Sequence, residues 1–285
     1  MKIPIPEVNE RFDSTEDALE YIVRLSNVIV DKSKKICPNP SVDHIPAYVL
    51  EFCNKVLLQA KTIVKVSRER EDYNTLCALV RILADNIATL NFVYDCQDDE
   101  ERALRHFLYV IDGVTVRHRL LMGHPMKYDG KIPKETYDAL EKQVEGAKDN
   151  TERCIRFCTN AIKRLPVYAM NGAMIDDLIK NGNWKFKTID KPQPRQGYTW
   201  KELYGMLHIK TGDEMFPYLS QYVHGLSVSN IVLNDKDDFD APLSFAVCLA
   251  GWLLNYLRKV YEPHIGNYTM EDINKVLPGL FDEIR

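Results

Sequence analysis

The stretch Leu76–Tyr94, LCALVRILADNIATLNFVY, decides the fold class. Its apolar residues recur at helical spacing, so it reads as an apolar helix that carries Arg81, Asp85 and Asn86 where few polar groups belong. At about 100° per residue, Arg81, Asp85 and Thr89 share one stripe with the small residues Ala78 and Ala88. Leu79, Leu83, Ile87, Leu90 and Val93 take the opposite side, with Asn86 among them. A buried charge or amide without a partner is costly, so these groups are expected to meet polar partners from other elements. The stripe therefore predicts an internal polar site. Two structural readings stand beside it. Arg81 and Asp85 also suit pairing with each other across one helical turn, and Asn86 suits fixing helix register.

Outward from this stretch the chain reads as nearly all helix. Ser14-Thr15-Glu16-Asp17 opens a first helix, which ends before Cys37-Pro38-Asn39-Pro40. Pro46 suits the first turn of a second, running to the charged segment Ser67–Asp72. Asp98-Asp99-Glu100-Glu101 places acids on the first turn of a fourth, where the helix dipole favours them. A long polar helix from Pro133 to about Arg164 and a short one over Val167–Lys180 follow. Residues 181–199 are the least regular and read as a crossing loop or lid, with a domain linker as the alternative. Thr199-Trp200-Lys201-Glu202 starts another short helix, and Phe216–His224 reads as a further one with Pro217 in its first turn. Helices over about Ala241–Tyr261 and Thr269–Ile284 complete the chain. No strand alternation, repeat or low-complexity tract appears.

Composition narrows the function classes. The 285 residues are 45% hydrophobic and 27% charged, with a net charge of −4. That balance draws the whole molecule neither to nucleic acid nor to an anionic membrane. Seven cysteines, an odd number placed mostly in apolar helical runs, point to free thiols in a reducing cytoplasm. The N-terminus shows no apolar secretory core, and Ala241–Leu257 reads as a buried helix in preference to a membrane span.

Tyr218–Asn230, YLSQYVHGLSVSN, is the second informative segment. Ser220, Gln221 and His224 share one side of its helix, with His224 in the last turn, where the dipole favours an imidazolium. His224 suits capping its own helix. It also suits joining Arg81 and Asp85 in a small catalytic or anion-binding cluster. A separate pattern is Arg119-Leu120-Leu121-Met122-Gly123-His124. Arginine and histidine at this spacing resemble the RNase motif of HEPN-type helical nucleases. There an imidazole would move the 2′-hydroxyl proton and a guanidinium would hold the phosphate, without a metal. Leu120 stands where a polar residue is usual. Cys154 and Cys158 lie one turn apart, but no second Cys or His pair follows at zinc spacing, so no metal site is expected. Trp184–Trp200, with Lys185, Lys187, Lys191 and Arg195, has the composition of a loop that stacks on a nucleotide or RNA end.

Two segments together carry a family resemblance. VRILADN followed by a charged turn and ERALRHFLYV resembles the first half of the bacterial domain of unknown function 5677 family. YLSQYVHG is similar to that family's Ser-x-x-x-His segment. The likeness runs from about Val49 to Tyr261 and implies functional positions at Arg81, Asn86, Ser220 and His224. Asp85-Asn86 stands where Glu-Asn is more usual. The family has no settled activity, so the resemblance implies a helical fold and a site, with no named reaction.

The expected protein is all-α, an antiparallel helical bundle elaborated by additional short and C-terminal helices in a single domain, 1–285. Its polar site binds a small or anionic ligand, with Arg81, His224 and Asn86 as catalytic candidates and Asp85, Ser220 and Tyr218 as ligand contacts. The rivals are a HEPN-like ribonuclease using Arg119 and His124, and a structural or partner-binding module. No cofactor, metal or membrane is expected, while RNA and a second copy of the chain are candidate partners.

Overall fold

Side-chain caps set the starts of the three N-terminal helices. The Ser14 hydroxyl accepts the Asp17 amide at 3.2 Å and opens α1 (Thr15–Lys34). His44 Nδ1 accepts the Ala47 amide at 3.1 Å at the start of α2 (Ile45–Glu69), where Pro46 occupies the first turn. The Asp72 carboxylate accepts the Thr75 amide at 2.9 Å and opens α3 (Tyr73–Tyr94), the helix that contains the decisive stretch. Then follow α4 (Asp99–Gly123), α5 (Lys134–Lys163), α6 (Pro166–Asn181), α7 (Trp200–Gly205), α8 (Gly212–Val223), α9 (Asp240–Val260) and α10 (Met270–Val276). These come from a computed structural model that describes residues 12–123, 126–189, 197–223 and 236–278. Among the described residues the fold is all-α, with one isolated bridge between Phe186 and Gly197.

The chain divides into two compact units, one formed by Met1–Asp95 with Trp200–Arg285 and the other by Cys96–Thr199. The second boundary falls at the end of the irregular segment 181–199, while nothing in the sequence around Asp95 and Cys96 marks the first.

In the first unit α1 packs on α2, α2 on α3, α3 on α9, and α9 back on α1, so four helices close around a common core. Leu76, Leu83, Ile87 and Leu90 of α3 are fully buried there, as are Leu19, Ile29 and Ile63 from α1 and α2. α7 and α8 lie against α3, and α10 against α1. Both α3 and the stretch Lys236–His264 are long and apolar enough to cross a membrane, yet most of each is buried against protein. That is the pattern of core helices.

The second unit is a hairpin of α4 and α5 with α6 packed on both. Two residues of the 181–199 segment, Trp184 and Phe186, join its core. Trp184 and Phe186 are 6% and 4% exposed, and Trp184 Nε1 donates to Asp112 at 3.2 Å. Gly182 ends α6 in the left-handed region at φ 60°, where a Cβ would come within 2.9 Å of an Asp112 carboxylate oxygen. Gly182→Ala is therefore expected to cost at least ~1 kcal/mol from the backbone alone. A lower urea midpoint at unchanged slope would register it.

Two helix boundaries depart from the sequence expectation. α8 begins at Gly212, about a turn before Phe216, and Pro217 lies inside it. Its first turn is closed by the Met215 amide donating to the Thr211 carbonyl at 3.0 Å, and Asp213 and Glu214 sit where the dipole favours acids. α10 ends at Val276, well short of Ile284; residues 279–285 lie outside the described set.

Candidate functional site

Arg81 and Asp85 are one turn apart on α3, so their side chains leave the helix on the same face. Because α8 crosses that face, Ser220 comes within 3.1 Å of Arg81 Nε, which donates to its hydroxyl. Ser220 in turn donates to the Phe216 carbonyl at 2.8 Å, which fixes the orientation of its lone pairs towards the guanidinium. Arg81 Nη1 is ion-paired with Asp85. The Tyr204 hydroxyl, from α7, donates to the same Asp85 oxygen.

Aromatic packing completes the mount. The Arg81 guanidinium lies over the Tyr204 ring, 4.8 Å from its centroid. Tyr204 stacks on Phe216 with centroids 3.6 Å apart and on Trp200 at 5.8 Å. Burial, and then the hydrogen bond to Asp85, pushes the Tyr204 phenol well above its ordinary value, so it stays protonated and acts as a donor. The Arg81 side chain is 15% exposed and that of Asp85 36%, so the cluster is sheltered at the guanidinium and wet at the carboxylate. Thr89, the third member of the stripe, donates back to the Asp85 carbonyl at 2.8 Å and takes no part in the cluster.

The other sequence candidates fall elsewhere. Asn86 donates to Gln59 of α2 at 2.9 Å, so it serves the α2–α3 contact and not the Arg81 cluster. The side-chain offset explains this: one residue past Asp85 turns the amide towards the neighbouring helix. Tyr218 belongs to a separate chain of hydroxyls, bonded to Tyr73 and, at 3.0 Å, to Tyr222. His224 lies outside the described residues. On α4, Arg119 is exposed, and its partner in the hexapeptide, His124, lies outside the described residues as well.

Sequence reasoning missed Tyr204 and Arg105. Nothing local to Trp200–Gly205 aims a tyrosine at Asp85; that contact depends on how α7 lies on α3. In the second unit Arg105 is buried, donates from Nε to Glu101 at 2.7 Å and from Nη1 to the Phe186 carbonyl at 3.3 Å, and stacks over the Phe186 ring at 4.3 Å. Burial lowers its pKa and Glu101 opposes that shift, so this arginine is held by a structural pair. The signal is present in Glu101-x-x-x-Arg105, spaced for a salt bridge where the charged first turns give way to the apolar Phe107–Ile111 run. Among the described residues no group of three or more His, Cys, Asp or Glu side chains is placed to hold a metal ion. No protein-family model, curated protein or solved structure matches this chain.

Proposed function

We propose that the first unit binds a small oxyanion, a phosphate or carboxylate group, at Arg81. One observation carries the reading: among the described residues the guanidinium has more N–H donors than hydrogen-bond partners, which are Ser220, Asp85 and Tyr204. It offers five N–H groups. Among the described residues its neighbouring oxygens are the Ser220 hydroxyl, one Asp85 oxygen and the Tyr204 hydroxyl, which itself donates to Asp85. The remaining donors, held by the Tyr204 ring below and Ser220 beside, suit a planar or tetrahedral oxyanion. Preorganisation matters here, because a guanidinium already locked in place loses little freedom when a ligand arrives. The seven free cysteines suit a reducing compartment such as the cytoplasm for this activity.

Isothermal titration with inorganic phosphate, sulfate, acetate and a nucleoside monophosphate tests the proposal. The native protein is expected to bind at least one of them, and Arg81→Lys to bind it at least about tenfold more weakly, since an ammonium keeps the charge and loses the fork. Ser220→Ala is expected to weaken binding by only about threefold, because it frees the guanidinium without removing it. A folded native protein that binds none of the four would overturn the proposal.

A further inference from the structure

Outside that site, α5 carries two thiols one turn apart, Cys154 half-buried and Cys158 fully buried. Cys154 opens onto a cavity of about 480 Å³ between α4 and α5, lined also by Arg117, Gln143, Asn150 and Thr151. Cys158, one turn on, is fully buried and does not line this opening. The geometry is that of an accessible nucleophile with a sheltered second thiol one turn away, in a mainly apolar cavity that Arg117 also lines.

We propose that Cys154 and Cys158 are a site of reversible oxidation by hydroperoxides, with Cys154 attacking the peroxide and Cys158 resolving the product. The Cys154 thiolate attacks the terminal oxygen of R–O–OH. The O–O bond breaks, the departing alkoxide takes a proton from water, and Cys154 becomes a sulfenic acid. The Cys158 sulfur then attacks the Cys154 sulfur. An S–S bond forms, the S–O bond breaks, and hydroxide leaves with the Cys158 proton as water. The pair gives up two electrons and the peroxide becomes an alcohol and water.

The electrostatics of the seven thiols support the order of events. Cys158, its neighbour across the turn, lowers the Cys154 pKa, while Cys154 and then burial raise that of Cys158. Burial raises Cys37, Cys53, Cys77, Cys96 and Cys248, so those five stay thiols at neutral pH. Closing the disulfide has a structural cost. Cβ atoms one helical turn apart are about 5–6 Å from each other, against about 3.5–4.5 Å in a disulfide. The turn 154–158 must therefore tighten, which makes the disulfide easy to reduce and the modification reversible.

The experiment is treatment of the reduced full chain with one equivalent of hydrogen peroxide, followed by alkylation and peptide mass spectrometry. A Cys154–Cys158 disulfide is expected to form about tenfold faster than any oxidation of the exposed Cys248, and dithiothreitol should reverse it. In Cys158→Ser, Cys154 should instead accumulate as a sulfenic acid trapped by dimedone. In Cys154→Ser, oxidation at this site should vanish while Cys248 reacts as before, with circular dichroism confirming the helices. Oxidation of Cys154 no faster than Cys248 would overturn the site, and a trapped sulfenic acid in the native chain without disulfide would overturn the resolving role of Cys158.

Discussion

Leu83→Ala is expected to lower the stability of the first unit by ~3 kcal/mol, a large share of the ~5–15 kcal/mol that holds a typical domain together. Leu83 is fully buried on α3, the helix that α2, α7, α8 and α9 all pack against. Removing its isobutyl end forfeits the transfer free energy of the lost methyls. It also leaves a void that four fixed neighbours cannot close. Ile82, the adjacent residue, is 43% exposed and supplies the control, with Ile82→Ala expected to cost under ~0.5 kcal/mol. Urea unfolding followed by far-UV circular dichroism reads both, and comparable costs for the two would contradict the placement of α3 at the centre of the bundle.

The second large effect is expected from Glu101. Its carboxylate is the counter-ion of Arg105, whose side chain is only 6% exposed. Glu101→Ala removes the counter-ion of a buried guanidinium that burial already disfavours, at a cost of ~2 kcal/mol, the lower side of the range for broken buried pairs because Glu101 is 41% exposed and Arg105 keeps its bond to the Phe186 carbonyl. Arg105→Met should be milder, within ~1 kcal/mol of the native protein, since it removes the charge together with its desolvation cost and keeps most of the packing against Phe186. The two variants thus separate a stranded charge from a lost contact. A greater loss in Arg105→Met than in Glu101→Ala would show that packing, and not charge compensation, dominates at this position.

How much of this was legible in the sequence follows from how local each signal is. The periodicity of Leu76–Tyr94 predicts an apolar helix because amphipathicity is a property of one helix's own faces, while its central place comes from the helices that pack on it. The Ser14, Asp72 and Thr269 caps are equally local, each completed within three residues. The Arg81–Asp85 pair was readable because residues one turn apart meet whatever the rest of the fold does. Asn86 was placed on the same polar site in the reading, yet it turns to Gln59, a choice made by the rotation of α3 against α2. Tyr204 was invisible for the same reason: its contact with Asp85 spans 119 residues and depends on the packing of a six-residue helix. The start of α8 was misplaced because Pro217 reads as a first-turn residue, while the acids at 213 and 214 and the Thr211 carbonyl set the true start.

The central claim is that the Arg81 guanidinium is preassembled for an oxyanion, and its side-chain Nε–H signal tests that most directly. In a nitrogen-15 spectrum this resonance, identified by its disappearance in Arg81→Lys, should shift and saturate as phosphate or a carboxylate is added. The Trp200 indole signal, from the ring stacked on Tyr204, should move with it. An Arg81 signal that stays fixed across the titration, in a protein whose spectrum is otherwise that of the native fold, would contradict the account and leave the Arg81, Asp85, Tyr204 and Ser220 cluster a structural tie between α3, α7 and α8.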